Sequence, residues 1–448
     1  MARKLFGTDG IRGQANAYPM IPDMMLKLAM AAAAQFTRGS HRHTVVIGKD
    51  TRLSGYMIES SLMSGFTAMG FEVYLLGPLP TPAVALLTKS LRADLGVMSS
   101  AAHNPYPDNG VKFFGPDGYK LSDLTELAIE AKIESGQFEL SPFDHLGKAR
   151  RLEDASGRYI EFAKSTFPKN LRLDGLKIVI DAAHGAAYKV APTVLWELGA
   201  EIIPIGVNPS GMNINEGCGA TKTELARKTL FEEKADVAVI LDGDADRIII
   251  LDEKGNLLDG DQILALITSH FVETEQLKGT QVVATQMSNM GLERYLQSIG
   301  LNLFRTPVGD RYVIDGMRKL GCNIGGEQSG HVILHDYTTT GDGLIAALQI
   351  LAMMQKRGKT LSEIGEIFTP VPQILRNVRL SECINLKDQA IIALIEKAEA
   401  EIGKDGYLLV RMSGTEPLLR LMAQGDDRNR LESILDELAA TLLKEKAA

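Results

Sequence analysis

Cysteine is scarce: Cys218, Cys322 and Cys383 are scattered through 448 residues with no Cys-x-x-Cys pair. An odd number at such spacing gives neither a disulfide framework nor a thiolate zinc site, and it suits a reducing compartment. No apolar run reaches the about 18 residues of a membrane-spanning helix, and the N-terminal MARKLFGTDG has no signal-peptide apolar core. Long basic blocks are missing as well, and the formal net charge is -8, so nothing advertises a nucleic-acid or membrane surface. A cytoplasmic location is the expectation, and an anionic ligand would have to meet a local cluster of Arg and Lys. No Walker A loop is present, because Gly358-Lys359-Thr360 lacks the upstream glycine and ends a helical stretch. What is there is a globular balance, 45% apolar and 23% charged, over a length that points to two to four domains.

Strand-like and helix-like runs alternate almost throughout, which predicts α/β domains. HTVVIGKD leads into a predicted helix from about Tyr56, followed by FEVYLLG, a helix after Pro82, and ADLGVMSS. A second set runs LKIVIDAAHG, EIIPIG and ADVAVILDGDADR. A third runs QVVATQMS, LFRTPVGD and CNIGGEQSGHVIL, closed by the helical pattern DGLIAALQILAMMQKRG. The runs Ala93–Val97 and Ala235–Val239 look alike, and each set delivers a polar loop at the same relative place: SSAAHNP, DGDADR and GGEQSGH. Chance similarity is the alternative to three related domains sharing a cleft. The expected divisions are 1–155, 156–255 and 256–368. Thr369-Pro370-Val371-Pro372 reads as a linker into 369–448, where a strand, a helix (about Lys387 to Ile402), YLLVRMSG, LLRLMAQG and a terminal helix predict a smaller α+β domain.

Asp242, Asp244 and Asp246 lie two apart after a buried-looking run, so an extended segment would point all three the same way. Packed carboxylates repel unless a cation sits among them, and hard oxygen donors suit Mg²⁺. A solvated acidic turn is the bland alternative; an EF-hand is excluded because Arg247 stands where that loop needs glycine. Arg411-Met412-Ser413-Gly414-Thr415-Glu416-Pro417, followed by Arg420, has the small residues, hydroxyls and forked donors of an anion cradle, or of a plain hairpin turn. Gly325-Gly326-Glu327-Gln328-Ser329-Gly330-His331 could pair with neighbouring sugar hydroxyls, or be an ordinary glycine-rich loop. Arg12 sits on the Gly-rich FGTDGIRG, and Lys49-Asp50-Thr51-Arg52 could add positive charge. His103 and Lys112 are possible proton-transfer groups flanking a strand-end loop, whereas His41, His43, His145, His270 and His335 read as structural. Together these loops are the equipment for moving phosphoryl groups on a sugar phosphate.

FGTDGIRG, AAHNPYPDNGVKFF, DAAHGAAY, NPSGMNINEGCGAT, DGDADR, TPVGDRYV, GGEQSGH and RMSGTEPLLR, in this order and spacing, resemble the α-D-phosphohexomutase family over nearly the whole chain. The Gln of GGEQSGH and the NINEGCGAT stretch resemble its amino-sugar branch. The resemblance implies three similar α/β domains plus a smaller C-terminal α+β domain around a central cleft. It implies interconversion of glucosamine 6-phosphate and glucosamine 1-phosphate through a phosphoserine and a bisphosphate, feeding UDP-N-acetylglucosamine and cell-wall synthesis. By carry-over, Asp242, Asp244 and Asp246 hold one Mg²⁺, with Arg247 beside them, and Arg12 supports the phosphoserine. Glu327 and Ser329 read sugar hydroxyls; Arg411, Ser413, Gly414, Thr415 and Arg420 bind the phosphate that is not reacting; Lys112 and His103 transfer protons. Glucosamine 1,6-bisphosphate or glucose 1,6-bisphosphate is the implied activator, sugar phosphates are the implied partners, and a homodimer is the implied assembly.

One position departs. The family pattern is Ser-Ala-Ser-His-Asn-Pro, with the second serine as nucleophile, and this chain has Ser100-Ala101-Ala102-His103-Asn104-Pro105. A methyl group can neither carry a phosphoryl group nor ligate a metal. With every other motif intact, an introduced Ser→Ala change that inactivates the chain reads better than a natural variant using Ser100, which a displacement of about 6–7 Å along an extended strand would misplace. A non-catalytic sugar-phosphate binder, and a mutase preferring glucose or mannose phosphate, stay as rival expectations.

Overall fold

One topology is used three times. The computed structural model describes residues 4–379, 385–412 and 418–444. Its first sheet contains β1 (Ile11–Gln14), β2 (Thr44–Lys49), β3 (Glu72–Pro78), β4 (Leu95–Ser99), β5 (Asp108–Phe114) and β6 (Ala149–Arg151), in the order β1-β5-β4-β2-β3-β6. The second contains β7 (Lys177–Asp181), β8 (Glu201–Ile205), β9 (Val237–Leu241), β10 (Ile248–Asp252) and β11 (Leu257–Leu258), ordered β11-β10-β9-β7-β8. The third contains β12 (Gln281–Thr285), β13 (Asn302–Thr306), β14 (Ile324–Gly326) and β15 (Val332–Leu334), ordered β13-β12-β14-β15. In each, a central strand has two parallel neighbours, β3 and β4, β8 and β9, or β13 and β14. The last of these neighbours then turns back into an antiparallel strand, β5, β10 or β15. The repeated loops of the sequence fall in that return turn every time. Repetition of strand order and direction together removes chance similarity as an explanation.

The central strands read as continuous apolar runs because helices cover both faces. β4 and β9 are buried along their full length. The helix Gly343–Arg357 is buried on every side from Gly343 to Met354, with Gln349 the one polar side chain in that span, started by the Asp342 carboxylate accepting from Ile345 N at 3.0 Å and ended by Gly358 at φ 59°. It follows the third sheet in sequence yet packs against β9 and β10 of the second as well as β15. A single apolar cluster therefore unites Val84 and Met98 of the first domain with Ile180 and Val239 of the second and Leu264 and Ile324 of the third. Beyond Phe368 the chain forms an antiparallel sheet of β16 (Gln373–Arg379), β17 (Tyr407–Met412) and β18 (Leu418–Gln424), ordered β16-β18-β17, packed against helices Gln389–Ile402 and Arg428–Lys444. Its entry is pinned rather than loose: the Asn289 amide donates to Val371 O and accepts from Val371 N, both at 3.0 Å.

Candidate active site

The return turn of the first sheet, residues 100–107, is held by one buried arginine. Arg52, 1% exposed, pairs through Nε with Asp50 at 2.8 Å. Its remaining N–H groups donate to the carbonyls of Pro105 (2.5 Å), Asp108 (3.0 Å), Ala102 (3.0 Å) and Asn104 (2.8 Å). The sequence suggested that Lys49 and Arg52 add charge for a ligand, but both are committed inward, Lys49 to Glu59 at 2.7 Å. Burying a guanidinium is tolerable only when every donor is used, and here the loop's own carbonyls use them. Asn215, from the NINEGCGAT stretch, adds a second clamp by donating to Ala102 O at 2.9 Å and Asn104 O at 3.0 Å.

These clamps hold Ala102 at φ 48°, a left-handed conformation unusual for a residue with a Cβ, and its N–H donates to Ser100 Oγ at 2.9 Å. Ser100 is fully buried and donates its proton to Asp50 at 2.7 Å, so its hydroxyl is part of the scaffold that shapes the loop. The turn of the second sheet approaches so closely that a Cβ on Gly243 would meet Ala102 O at 2.6 Å.

Asp242, Asp244 and Asp246 do converge, with ligand oxygens all within 4.8 Å of one another. They do so through a tight turn, with Ala245 at φ 59°, rather than by alternation along an extended segment. All three are buried, and Asp242 Oδ2, Asp244 Oδ1 and Asp246 Oδ1 have no hydrogen-bond partner among the described residues. Burial, then the adjacent charges of Asp246 and Asp244, push the Asp242 carboxyl well above the usual range. Asp246 is held well below it: burial acts upward, but Lys112 and His331 outweigh it. The turn therefore presents three buried carboxylate oxygens with no hydrogen-bond partner, at a place where packing the carboxylates together disfavours ionisation of Asp242. Hard, anionic and clustered, these donors fit a divalent metal ion.

The protein's own cation at this place is Lys112, 1% exposed, with Nζ 2.8 Å from Asp244, 3.1 Å from Asp246 and 3.1 Å from Asp9. Burial alone would lower its pKa, yet the three carboxylates raise it well above the ordinary lysine value. Arg12 pairs with Asp9 and points Nη1 at Ala101 O (3.5 Å). Arg247 donates from Nη1 to His103 Nδ1 at 3.0 Å. Burial, then the Arg247 and Arg12 charges, lower His103 to about 4. The ring is therefore neutral near pH 7 with its proton on Nε2. Since the unfolded ring takes a proton near pH 6.5 and the folded one only near 4, His103 makes stability fall as pH drops through that window. An NMR titration is expected to find its midpoint near about 4; a midpoint above 6 would refute the placement beside Arg247.

The third sheet's turn lies against the second's, Gly330 O accepting from Ile248 N at 3.0 Å. A Cβ on Gly330 (φ 94°) would strike Ile248 O. Glu327 is 8% exposed and accepts from Gly309 N at 3.1 Å, whereas Ser329 is exposed. His331, given no role from sequence, stands between Asp310 (3.2 Å) and Asp246 (3.6 Å). Burial would lower its pKa, but those carboxylates lift it to about 10, so it enters the site as a cation. Lys120 bridges Asp9 and Asp310, tying the first domain to the third. Little in the local sequence marks Arg52, Asn215 or His331: the Ala102 carbonyl lies 50 residues from Arg52 and 113 from Asn215, and Asp310 and Asp246 reach His331 from other elements.

In the C-terminal sheet Arg411 and Arg420 are directly opposed across β17 and β18. Burial, then Arg420, lower the Arg411 pKa. Facing like charges destabilise a sheet unless an anion joins them. Ser413, Gly414 and Thr415, expected to complete this cradle, lie outside the described residues.

Three copies of one sheet topology, each opening the same turn onto a shared acidic centre, with a fourth domain carrying paired arginines, define a phosphohexomutase scaffold. Family models for phosphoglucomutase/phosphomannomutase match along the chain: alpha/beta/alpha domain I at residues 3–140, domain II at 157–255, domain III at 259–371 and the C-terminal domain at 375–441. The chain belongs to the phosphoglucomutase/phosphomannomutase family. It is 58% identical to the phosphoglucosamine mutase of Paramagnetospirillum magneticum over 446 residues, 99% of each chain. In fold it is similar to a phosphoglucomutase/phosphomannomutase family protein from Burkholderia thailandensis (TM-score 0.82, 21% identity, 98% and 97% covered). It is also similar to the Aspergillus fumigatus N-acetylphosphoglucosamine mutase solved with GlcNAc-6P and magnesium (TM-score 0.68, 18% identity, 98% and 96% covered). Among the described residues no helix is long and apolar enough to cross a membrane.

Proposed function

We propose that the cleft interconverts glucosamine 6-phosphate and glucosamine 1-phosphate in a form bearing serine at position 102, and that the present alanine leaves it able to bind but not to turn over. The observation that carries this reading is the position of Ala102: a strained, doubly clamped residue set against the acidic turn, in a loop where Ser100 is committed to Asp50. With a phosphoserine there, the serine O–P bond breaks as a sugar O–P bond forms, and the sugar hydroxyl proton passes to a nearby base. The bisphosphate turns over in the cleft and returns its other phosphoryl group to the serine by the reverse step. Glu327 and Ser329 are assigned to the sugar hydroxyls, Arg411, Arg420 and the 413–415 segment to the distal phosphate, and Arg12 and Arg247 to the transferring group. Lys112 and His103 are the proposed proton-transfer groups.

Asp242, Asp244 and Asp246 would hold Mg²⁺, which supplies positive charge against the phosphoryl group in flight. With the ion there, Asp244 and Asp246 would be drawn away from Lys112, leaving Asp9 as its remaining carboxylate partner. Mg²⁺ is expected to bind the alanine chain more weakly than a phosphoserine form, because one anionic oxygen is absent; equal affinities by calorimetry would show that the serine phosphate is no ligand. The same reading takes a sugar 1,6-bisphosphate as activator and a cytoplasmic homodimer as the working form.

Arg420→Ala tests the distal clamp. Each charge-assisted bond contributes roughly 1.5–3 kcal/mol, so sugar-phosphate binding is expected to weaken by about tenfold or more. Unchanged affinity would remove the β17–β18 hairpin from the site.

A further inference from the structure

A second cluster of ligating atoms lies at the opposite end of the first sheet. His43 and Asp94 directly precede the parallel neighbours β2 and β4, whose other ends carry Asp50 and the 100–107 loop. Six residues of β2 at about 3.3 Å each separate the two ends by roughly 20 Å. At the far end His41 Nε2 is 2.8 Å from Asp94 Oδ1, His43 Nδ1 is 3.5 Å from the same oxygen, and the two ring nitrogens are 3.1 Å apart. Three protein ligands around a tetrahedral ion with bonds of about 2.0–2.1 Å would stand about 3.3–3.4 Å from one another. The observed distances bracket that spacing.

The surroundings hold the atoms in place. Asp94 Oδ2 accepts from Thr44 N at 2.8 Å, which leaves Oδ1 turned to the histidines, and His43 stacks on Phe71 with ring centroids 5.2 Å apart. Carboxylates and histidines of metal sites are commonly oriented by such outer partners. Among the described residues Asp94 has no lysine or arginine partner, unlike the acidic turn of the cleft with its Lys112. The nearby Arg42 is turned to Glu72 at 2.5 Å, so its charge is compensated. His41 is 56% exposed in its side chain, leaving the cluster open to an ion from solution and one coordination position free for water.

We propose that His41, His43 and Asp94 form a divalent transition-metal site of the Zn²⁺ class, separate from the cleft. Imidazole with carboxylate selects Zn²⁺, Co²⁺, Ni²⁺ or Cu²⁺ over Mg²⁺, which prefers oxygen alone. The scarcity of cysteine excludes only a thiolate site. Bound there, the ion ties the starts of β2 and β4 together and stabilises the folded first domain by mass action.

The test uses the full chain with millimolar Mg²⁺ present to occupy oxygen-only sites. Co²⁺ is titrated and followed by its visible absorption, and Zn²⁺ by calorimetry and by thermal unfolding. One equivalent is expected to bind, with the band intensity of a four-coordinate ion and a rise in Tm. His41→Gln, at an exposed ring whose loss does not threaten folding, is expected to weaken binding by about tenfold or more and to abolish the Tm rise. Asp242→Asn, in the cleft, is expected to leave both unchanged. Binding that survives His41→Gln, binding that requires Asp242, or no binding of Co²⁺ or Zn²⁺ at all would each overturn the proposal.

Discussion

Ala102→Ser is expected to turn a protein with no measurable interconversion of glucosamine 6-phosphate and glucosamine 1-phosphate into one that turns over. Covalent catalysis splits the exchange into two transfers, each needing a carrier on the protein. A methyl group is no carrier, and water cannot replace it, because hydrolysis would discard the phosphoryl group. Ser100 cannot substitute: it is buried, donates to Asp50 at 2.7 Å and accepts from Ala102 N at 2.9 Å. Misplacing a reacting group by even 1 Å can cost about 100-fold. The serine form, primed with a sugar bisphosphate and Mg²⁺, should carry a phosphate on residue 102 by mass spectrometry, while the alanine chain should bind either sugar phosphate without converting it. Should the alanine chain match the serine form in rate, residue 102 is not the nucleophile. Should the serine form bind but never turn over, the cleft is a sugar-phosphate binder. Comparison of rates on glucose, mannose and glucosamine phosphates then decides the sugar.

Arg52→Ala is expected to have the largest effect on stability. Arg52 and Asp50 are an ion pair with both side chains fully buried, and the same guanidinium holds four loop carbonyls. Removing one partner of a buried pair leaves an uncompensated charge, at a cost of about 3–5 kcal/mol. Burial already raises the Asp50 carboxyl and Arg52 opposes it, so losing Arg52 should raise it further. The midpoint of chemical denaturation should fall accordingly, and a loop that survives should lose sugar-phosphate turnover in the Ala102→Ser background. A shift below about 1 kcal/mol would mean that Arg52 acts as a surface charge, the role its sequence position suggests, since exposed pairs contribute no more than that.

The contrast between Arg52 and the acidic triad shows what the linear chain determines. Asp242, Asp244 and Asp246 were legible because they are close in sequence and bounded by apolar runs, so any fold that buries those runs brings the carboxylates together. The strand runs were legible for the same reason, as was the recurrence of three domains, since burial on both faces writes itself locally as continuous hydrophobicity. The proposal that residue 102 is the nucleophile position rests on the ordered set of motifs around it. Arg52 looked like a charge offered to a ligand, and only packing decides that it faces inward onto four carbonyls.

Lys112, an expected proton-transfer group, is placed among Asp9, Asp244 and Asp246 by the meeting of two domains, and His331 reaches Asp310 and Asp246 in the same way. His41 and His43 read as structural one by one, because the carboxylate that gathers them, Asp94, lies more than 50 residues on, just before a neighbouring strand. Hydrophobic periodicity records which side of an element is buried. It does not record which other element is buried against it, and the charge, tautomer and partner of every group in this cleft depend on that second fact.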